Sequence, residues 1–536
     1  MKPFLFLLTF LWLVSPAFGD EGQHHEELTA KQLGTVHFPV SCADSVKAEF
    51  ARGVALLHSF WYEEAEKTFQ EVAKDDPGCA MAHWGVAMSL WHQLWNRPDA
   101  ATLKRGEAEI KQAKALRAAT DRERGYIAAL GKFYEKSGKR DHHERAYAYS
   151  QAMQRLHSRY PQDHEAAAFY ALSVIASNSD KDPDSAARKK DAIAVLEKLF
   201  AEEPDHPGAA HYLIHIYDTP EMAAQGLPAA RRYAKIAPMA PHALHMPSHI
   251  FARLGLWQDD IDSNLASIAA SRESSAMHMG GEGHQFHAMD FLVYAYLQCG
   301  READAQKVIE EVKAMPPMKD MYGEGFDPHI AALVWFEASY ALELHHWAEA
   351  AGLQPVPGAG LADGAITYRV RAIGAVRSGN LAQARKDLAE IESIHQQLVE
   401  QKKTDRARAV DEDRQIAQAW VDYGEGKNEE ALKLLRALGE KDRGVHEASD
   451  GVPAQEMLAD MLLEMNRSED ALAQYEVDLK MNPNRFDALN GAAHAAEKAG
   501  KTSEANSYYA KLVEVCAGSN SERPELAQAK ALLAKK

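Results

Sequence analysis

A spacing of 34 residues recurs along this chain and limits what the chain can fold into. In the C-terminal part, Ala471 and Tyr475 are followed 34 residues later by Ala505 and Tyr509. Small residues let two antiparallel helices approach closely, and an aromatic ring fills the space between them. An N-terminal unit has the same order of residue types, ending in a proline that stops the second helix: Gly53, Leu56, Ala65, Phe69 and Pro77.

The period is that of the tetratricopeptide repeat (TPR), a hairpin of two helices. Ala, Leu, Glu and Lys dominate and strand-type alternation is absent, which favours helices throughout. We therefore expect an all-α fold, a TPR-type helical-repeat superhelix (α-solenoid) of about nine or ten helix pairs. Further units align on Ala192, Ala229, Ile261, Ala305, Ala348 or Ala350, Ala384 and Ala431.

The N-terminus has the three parts of an export signal. Lys2 supplies a positive charge, residues 4–14 are apolar, and Ala17-Phe18-Gly19 offers small residues at a cleavage site. An 11-residue apolar run is too short to span a bilayer, and no comparable run follows it. We expect a periplasmic or secreted protein without a transmembrane segment once the signal is removed.

Breaks in the repeat pattern divide the chain into five parts. The only segment that resembles a linker is rich in proline and glycine, 351-AGLQPVPGAGLADG-364. The predicted divisions are 1–19 (signal peptide), 20–45 (N-terminal extension), 46–350 (TPR array with a histidine-rich groove), 351–366 (linker) and 367–536 (C-terminal TPR array).

Four cysteines are present, and only Cys42 and Cys79 are placed to pair, because each precedes the first helix of consecutive repeats. An exported protein permits a disulfide there. Two separate buried thiols fit the sequence equally well. No CxxC spacing of a redox or zinc site occurs.

Histidines recur in the same register of successive repeats. The pair His211 and His215 is followed 34 residues later by His245 and His249. In the next unit, His287 and Asp290 lie one turn apart on a first helix. Imidazoles at i and i+4 share one helix face, and stacking brings first helices side by side. We predict that these six residues form a metal site, with zinc or copper as the metals that suit imidazole.

Two considerations weaken this prediction. Pro247 lies between His245 and His249, and proline is tolerated only in the first turn of a helix, so this pair need not have i,i+4 geometry. Histidines near helix N-termini also cap helices, bond to backbone groups or bind an acidic partner. For each histidine taken singly, these ordinary structural roles are the stronger interpretation.

A helical-repeat groove usually binds a protein or peptide, which is the partner we expect here. Its candidate lining is His58, Trp91, Trp95, His284 and His329. Trp84 is instead expected in the core, because the TPR consensus buries an aromatic residue there. The excess of 78 acidic over 60 basic residues, a net charge of −18, argues against a nucleic-acid partner.

No standard catalytic signature occurs: HExxH, GxSxG, a phosphate-binding loop and a dinucleotide fingerprint are all missing. The sequence therefore favours an exported scaffold for protein–protein interaction or assembly, with no catalytic residues assigned. The alternative is a metal-dependent hydrolase or oxidoreductase that uses the same His/Asp cluster, with Glu282 or Asp290 as the base.

Four segments together resemble a family of exported bacterial TPR proteins of uncharacterised function. They are FARGVALLHSFWYEEAEKTF, DPGCAMAHWGVAMSLWHQLW, HMPSHIFARLGLW and HQFHAMDFLVYAYLQ, and the resemblance covers roughly residues 45–300. A fainter similarity links the chain to the eukaryotic tetratricopeptide repeat protein 38 group. The resemblance implies the fold and export, and it transfers no catalytic residues.

Overall fold

A computed structural model describes residues 28–95, 97–179, 182–316, 318, 327–441 and 451–534. The predicted signal peptide therefore lies outside the described residues. Within them the chain forms 27 α-helices and one short 3-10 turn, Asp44–Val46. No described helix combines the length and the apolar character needed to cross a membrane.

The helices follow one another with short connections. The first nine are α1 (Ala30–Leu33), α2 (Lys47–His58), α3 (Tyr62–Asp75), α4 (Ala80–Ser89), α5 (Ala100–Leu116), α6 (Asp121–Tyr134), α7 (His142–Arg159), α8 (His164–Ser177) and α9 (Ser185–Glu202). The next nine are α10 (Pro207–Tyr217), α11 (Ala223–Ile236), α12 (Pro241–His245), α13 (Pro247–Arg253), α14 (Trp257–Ala276), α15 (His284–Gln298), α16 (Glu302–Ala314), α17 (Pro328–Glu343) and α18 (Trp347–Gly352). The last nine are α19 (Leu361–Arg377), α20 (Leu381–Glu400), α21 (Thr404–Gly424), α22 (Asn428–Lys441), α23 (Ala454–Glu464), α24 (Ser468–Met481), α25 (Phe486–Lys498), α26 (Thr502–Val515) and α27 (Pro524–Ala534).

Consecutive helices pack as hairpins, which confirms the all-α repeat class. From α2 to α26 the described part contains twelve such pairs, with α12 and α13 together serving as one first helix, and α27 packs on the last pair. The sequence predicted about nine or ten. The extra hairpins lie between α4 and α7, where the 34-residue register is hard to follow.

Close helix approach depends on the residues that define the repeat. The ring of Phe69 lies directly over Gly53 and Gly85, so a Cβ built at either glycine would lie 2.7 or 2.3 Å from that ring. Gly491 has the same relation to Tyr475, at 2.3 Å. The glycines are therefore required by the packing of each aromatic ring between helices.

The array curls tightly enough for distant units to touch. Helix α2 packs against α10, α1 against α11, and α15 against α25. Trp61 donates its indole N–H to the carbonyl of Met279, 3.0 Å away and 218 residues along the chain. The first hairpin therefore covers the inner wall formed by α10 to α15, and the part of the groove predicted to be open is buried.

The proline- and glycine-rich segment is a shorter break than predicted. Helix α18 ends at Gly352 and α19 begins at Leu361, which leaves a connection of residues 353–360. Helices α17 and α19 pack together across this connection, and one hydrophobic core contains Val334, Ala350 and Ile366. Packing is therefore continuous from one side of the segment to the other.

Candidate metal centre

Three histidine side chains from two neighbouring units converge behind the first hairpin. The Nε2 atom of His211 lies 3.0 Å from Nε2 of His215 and 3.1 Å from Nε2 of His242. His211 and His215 are one turn apart on α10, and His242 lies on α12. We call this group the first trio. Its potential ligand atoms all lie within 4.8 Å of one another.

A second group of three histidines lies beside the first. Nε2 of His245 is 3.0 Å from Nε2 of His249, and the ring centroid of His287 is 4.5 Å from that of His245 and 5.6 Å from that of His249. The potential ligand atoms again lie within 4.8 Å of one another. We call these residues the second trio; they come from α12, α13 and α15.

The proline between His245 and His249 does not separate the pair. Pro247 is the first residue of α13, and Met246, which links the two short helices, has helical dihedral angles of −52° and −34°. Its N–H donates to the carbonyl of His242, 2.9 Å away, so the backbone follows a nearly helical path. His245 and His249 therefore keep an i,i+4 relation, which the proline had put in doubt.

Hydrogen bonds on the far side of the rings fix which nitrogen points inward. The Nδ1–H of His211 donates to the backbone carbonyl of His58 at 2.6 Å. The Nδ1–H of His245 donates to Oδ1 of Asn264 at 2.7 Å, and the Asn264 amide is itself oriented by donating to Asp260. A neutral imidazole has one N–H, so Nε2 of both histidines carries a lone pair. This is the arrangement that prepares imidazole to bind a metal.

A carboxylate completes the outer contacts of the second trio. The Nδ1–H of His249 donates to Asp218 at 2.9 Å, and the other carboxylate oxygen of Asp218 accepts from Nε of Arg253, also at 2.9 Å. Burial alone raises the pKa of Asp218, but these two neighbours hold it below its ordinary value. Asp218 therefore stays ionised and can orient the imidazole of His249.

Burial lowers the pKa of five of the trio histidines. It lowers the pKa of His215 and of His287 to about 3, with a smaller contribution from neighbouring histidines. The pKa values of His211, His242 and His245 fall well below the ordinary value for the same reasons. These side chains are therefore neutral bases at physiological pH, as metal coordination requires.

The two trios are contiguous. His242 and His245, three residues apart, contribute one ring to each trio, and their ring centroids are 6.2 Å apart. His284 extends the cluster, with its ring centroid 5.5 Å from that of His242, and burial lowers its pKa to about 4. His92 lies near His284 and stacks on Tyr62 at 4.3 Å.

Aromatic rings close the first trio from the side of the first hairpin. Phe60 has a left-handed backbone with φ of 54°, and its ring centroid lies 4.3 Å from that of His211 and 5.5 Å from that of His242. Trp95 lies 5.2 Å from His242 and 5.1 Å from Phe60. The first trio therefore lies in an apolar, water-poor environment.

The remaining residues predicted for the groove lie in different places. Trp95 and His284 border the trios, as described above. The prediction that Trp91 lines the groove is wrong: Trp91 is fully buried and stacks on Phe133 at 3.6 Å, because it belongs to the core between α4 and α6. The ring of His329 is buried and its Nε2–H donates to the carbonyl of Val312 at 2.8 Å, at the end of α16.

His58 belongs to a separate buried cluster behind the first trio. Its Nε2–H and that of His206 donate to the two carboxylate oxygens of Glu165, at 2.7 and 3.2 Å. Tyr212 donates its hydroxyl to Nδ1 of His58 at 2.8 Å, and the N–H of Ala209 donates to Nδ1 of His206 at 3.2 Å. Each ring nitrogen in this cluster therefore has a complementary partner, which indicates a structural role.

The two residues proposed as a catalytic base lie on or just before α15, the helix that carries His287. Asp290 lies one turn beyond His287 on α15. Glu282 accepts a hydrogen bond from the hydroxyl of Ser275 at 2.9 Å. The three side chains that define each trio are imidazoles.

Sequence reasoning missed His242, Asn264 and Asp218. His242 belongs neither to an i,i+4 histidine pair nor to the 34-residue spacing. The short motif 242-HALH-245, with histidines at i and i+3, was the available signal. Nothing in the sequence marked Asn264 and Asp218 as partners of particular rings, because those contacts depend on tertiary packing.

Another buried polar cluster, centred on Arg485, lies where α25 meets α15 and α17. The fully buried Arg485 donates to Glu343 at 2.9 and 3.1 Å, to Glu456 at 2.9 and 3.0 Å, and to the hydroxyl of Tyr294 at 2.7 Å. Gln298 donates to Glu343 at 2.9 Å. The guanidinium group meets acceptors on both carboxyl groups and on Tyr294, and burial raises the pKa of Glu456, so the cluster joins distant repeats without needing a ligand.

Cys42 and Cys79 are joined by a disulfide, so of the two interpretations left open by the sequence the paired one holds. The bond ties the segment before α2 to the start of α4. Among the described residues, Cys299 and Cys516 are buried free thiols, and burial raises the pKa of each to about 12.

A cavity of about 790 Å³ lies between the end of α10 and the C-terminal units. Arg253, which holds Asp218, forms part of its wall. The cavity is therefore two hydrogen bonds away from His249 of the second trio. Its lining carries charges of both signs, including Glu221, Asp363, Arg369 and Arg436.

Comparisons with known proteins add little beyond the architecture. No protein-family model and no curated protein matches the sequence. Among solved structures, a human IFIT1 dimer with m7Gppp-AAAA is 13% identical with a TM-score of 0.32, covering 91% of this chain and 99% of that one. A monomeric IFIT1 mutant with Gppp-AAAA is also 13% identical, with a TM-score of 0.34 and the same coverage. Similarity at this sequence identity and TM-score indicates nothing about function.

Proposed function

We propose that this protein is an exported helical-repeat binding protein that holds a transition metal, zinc or copper, on its buried histidines. Among the observations on this chain, the first trio carries the proposal. The Nδ1–H of His211 is used by a backbone carbonyl, so its Nε2 has one lone pair, yet two other imidazole nitrogens lie 3.0 and 3.1 Å from it. One lone pair can accept only one good hydrogen bond.

A metal ion resolves this conflict better than protons do. A proton can join two nitrogens, and an imidazolium in each trio would account for one contact. Three converging nitrogens are instead the ligand set of a metal bound at about 2.0–2.1 Å from each nitrogen. Burial, which lowers the pKa of these histidines, works against the imidazolium and leaves the metal-binding form.

Metal analysis of tag-free protein tests the proposal. Protein purified without a histidine tag and dialysed against a weak chelator is expected to retain stoichiometric zinc or copper. The His211→Ala/His215→Ala variant should lose the metal bound at the first trio, whereas His346→Ala, which changes an exposed histidine far from the trios, should lose none. Wild-type protein that stays metal-free after incubation with either metal would refute the proposal.

Export is supported by two independent features. The sequence begins with the three parts of a secretory signal, and Cys42 and Cys79 form a disulfide, which persists in oxidising compartments. Export is checked by fractionating cells and sequencing the N-terminus of the mature protein. Cleavage after Gly19 is expected.

We also propose a protein or peptide partner in the cavity of about 790 Å³, because helical repeats bind partners on their concave surface. A photo-crosslinking amino acid at Val477, a cavity residue with a side chain that is 48% exposed, should capture that partner. The same amino acid at Val399, equally exposed on α20 outside the cavity lining, is the matched control. Equal labelling at both positions would contradict the proposal.

A metal-dependent enzyme is the second candidate, favoured by the number of ligands. Three protein nitrogens per site leave a coordination position open, as in catalytic metal sites. Comparing metal-loaded and metal-stripped protein against panels of hydrolysable and oxidisable substrates tests this candidate. Activity that needs metal and disappears in His287→Gln supports it, and activity that survives stripping excludes it.

A further inference from the structure

The two cysteines outside the disulfide lie at the same place in the fold, although they occupy positions 299 and 516 of the sequence. Cys299 follows the last residue of α15, and Cys516 follows the last residue of α26. A Cβ atom placed on Gly300 would lie 3.2 Å from Sγ of Cys516, so the Cys516 thiol rests against the residue next to Cys299. Val515 packs against the core that contains Cys299 and against the core that contains Cys516, so the two thiols share one buried region.

Chance does not readily explain this meeting of two thiols. The chain has four cysteines, and two of them already form a disulfide. A buried residue touches roughly 6–12 others, which is about one in fifty of the residues of a chain this long. Two thiols with no shared role would therefore seldom be neighbours, whereas two thiols that form a bond must be.

A shared metal ion does not account for the pair. Structural zinc is held by four side chains, most often cysteine and histidine. In the described part of the chain, no group of three or more metal-ligating side chains includes Cys299 or Cys516. The chemistry left to two neighbouring thiols in an oxidising compartment is a disulfide.

Two glycines let the backbone turn where the thiols meet. Gly300 and Gly518 have left-handed dihedral angles, with φ of 71° and 80°, and each follows shortly after one of the cysteines. A disulfide requires Cα atoms about 4.4–6.8 Å apart. Both cysteines lie at helix ends, which shift more easily than residues within a helix and so can reach that spacing.

We propose that Cys299 and Cys516 form a second disulfide in the exported protein, and that the two free thiols of the structure are its reduced form. The oxidant is the disulfide of another protein: the thiolate of one cysteine attacks it, and the second thiolate then displaces the other protein's sulfur. The two cysteines give up two protons and two electrons, and the oxidant's disulfide becomes two thiols. This inference rests on export, which is part of the proposed function, and it is independent of metal binding.

Burial determines when the bond forms. It raises the pKa of each thiol to about 12, so the reactive thiolate is scarce in the folded protein. The bond therefore forms during folding after export, before the end of α26 packs against the end of α15. Once buried, it is protected from exchange.

The bond would make an existing contact between distant repeats covalent. Helix α15 carries His287 and is already held by the hydrogen bond from Arg485 to Tyr294. Ser521, beyond α26, donates its hydroxyl to Glu302 at the start of α16. A disulfide from Cys299 to Cys516 would brace the same helices at their ends.

Alkylation of the denatured protein tests the proposal without any variant. Mature protein is recovered from the exported fraction of cells and alkylated in denaturant without reductant, so that burial does not protect a thiol. We expect no alkylated cysteine. After digestion, mass spectrometry should find a linked pair of peptides containing Cys299 and Cys516, which reductant separates.

The other outcomes separate this inference from export. If Cys299 and Cys516 are alkylated while Cys42 and Cys79 stay linked, the second disulfide is refuted and export stands. If all four cysteines are alkylated, both are refuted. The control is Cys299→Ser, in which Cys516 should be the one alkylated residue.

Hydrogen exchange tests what the bond does for the fold. Reductant should speed exchange at the ends of α15 and α26 in wild-type protein by roughly tenfold or more, because the constraint on the open chain is lost. It should change nothing there in Cys299→Ser. Equal exchange in wild-type protein with and without reductant would show that the bond does not brace these helices.

Discussion

The histidine trios and the Arg485 cluster are both buried, polar and built from several repeats, yet they differ in whether their groups complement one another. Around Arg485 every named donor meets an acceptor: the guanidinium contacts Glu343, Glu456 and Tyr294. In the first trio, two imidazole nitrogens converge on the single lone pair of His211, and in the second the Nε2 lone pairs of His245 and His249 face each other at 3.0 Å. Burial of polar groups therefore does not by itself indicate a binding site. Buried nitrogen atoms that face each other without enough hydrogens between them do indicate one.

The largest expected effect comes from breaking the matched cluster. Replacing the cation in Arg485→Met leaves Glu343 and Glu456 buried without their partner, which should lower the free energy of unfolding by about 3–5 kcal/mol. Urea unfolding followed by circular dichroism measures the loss. The control is Arg467→Met, which removes exposed ion pairs and should cost about 1 kcal/mol or less. Similar losses in the two variants would show that the Arg485 cluster is not a structural centre.

A metal bound at the histidine trios should stabilise the folded protein by a comparable amount. At a free metal concentration a thousandfold above Kd, the folded state gains about 4 kcal/mol, because the unfolded chain lacks the assembled ligands. Thermal unfolding with and without metal shows the gain as a rise in Tm. The Arg467→Met control should respond as wild type does, and His245→Ala/His249→Ala should respond less. A metal effect of equal size in that double variant would place the ion elsewhere.

An intermediate effect is expected from a residue that orients a ligand without binding the ion. Asn264→Ala removes the acceptor for Nδ1–H of His245 and should weaken metal binding at the second trio by about tenfold to a hundredfold. Competition titration measures this change. Ser263→Ala, on the same helix, removes a bond to the backbone carbonyl of Leu244 and is the matched control. If the two variants bind metal equally, the His245–Asn264 bond has no positioning role.

The smallest effect concerns pH, and its sign differs between the histidine trios and the C-terminal units. His215 and His287 have pKa values of about 3 in the folded protein, below the ordinary value of 6.5, so the unfolded chain takes up protons first as pH falls. The stability they contribute in metal-free protein is full above about pH 6.5. On going from pH 6.5 to 5.5, each should lose on the order of 1 kcal/mol.

The carboxyl groups near the Arg485 cluster should behave in the opposite way. Burial raises the pKa of Asp460 and of Asp478 to about 6, so the folded state binds their protons more tightly, and their stabilising contribution disappears as pH rises through 6. Hydrogen exchange, corrected for intrinsic rates, should show α10–α15 loosening at pH 5.5 and α23–α25 loosening at pH 7. The same direction of change in both regions would contradict the assignment.

The sequence predicted the repeat class because packing of Gly53 against Phe69 depends on residue size at fixed spacing, which is visible without coordinates. It also predicted five of the six imidazoles of the trios, since repeat register places first helices together. It did not predict the closed groove. Burial of Trp91 and contact between α2 and α10 depend on the curvature of the superhelix. That curvature is the total of small rotations between many successive hairpins, which the sequence does not display.

The first hairpin has a further consequence for how quickly the trios could exchange ions with solvent. Phe60 lies against His211, the indole of Trp61 is bonded to Met279, and Lys67 donates to the carbonyl of His278. An ion in the first trio would therefore be enclosed by the first hairpin, which the ribosome synthesises before the ligand residues. Uptake and release would be governed by the rate at which residues 47–75 swing away from α10 and α15, and an ion trapped during folding would turn over on the timescale of that opening.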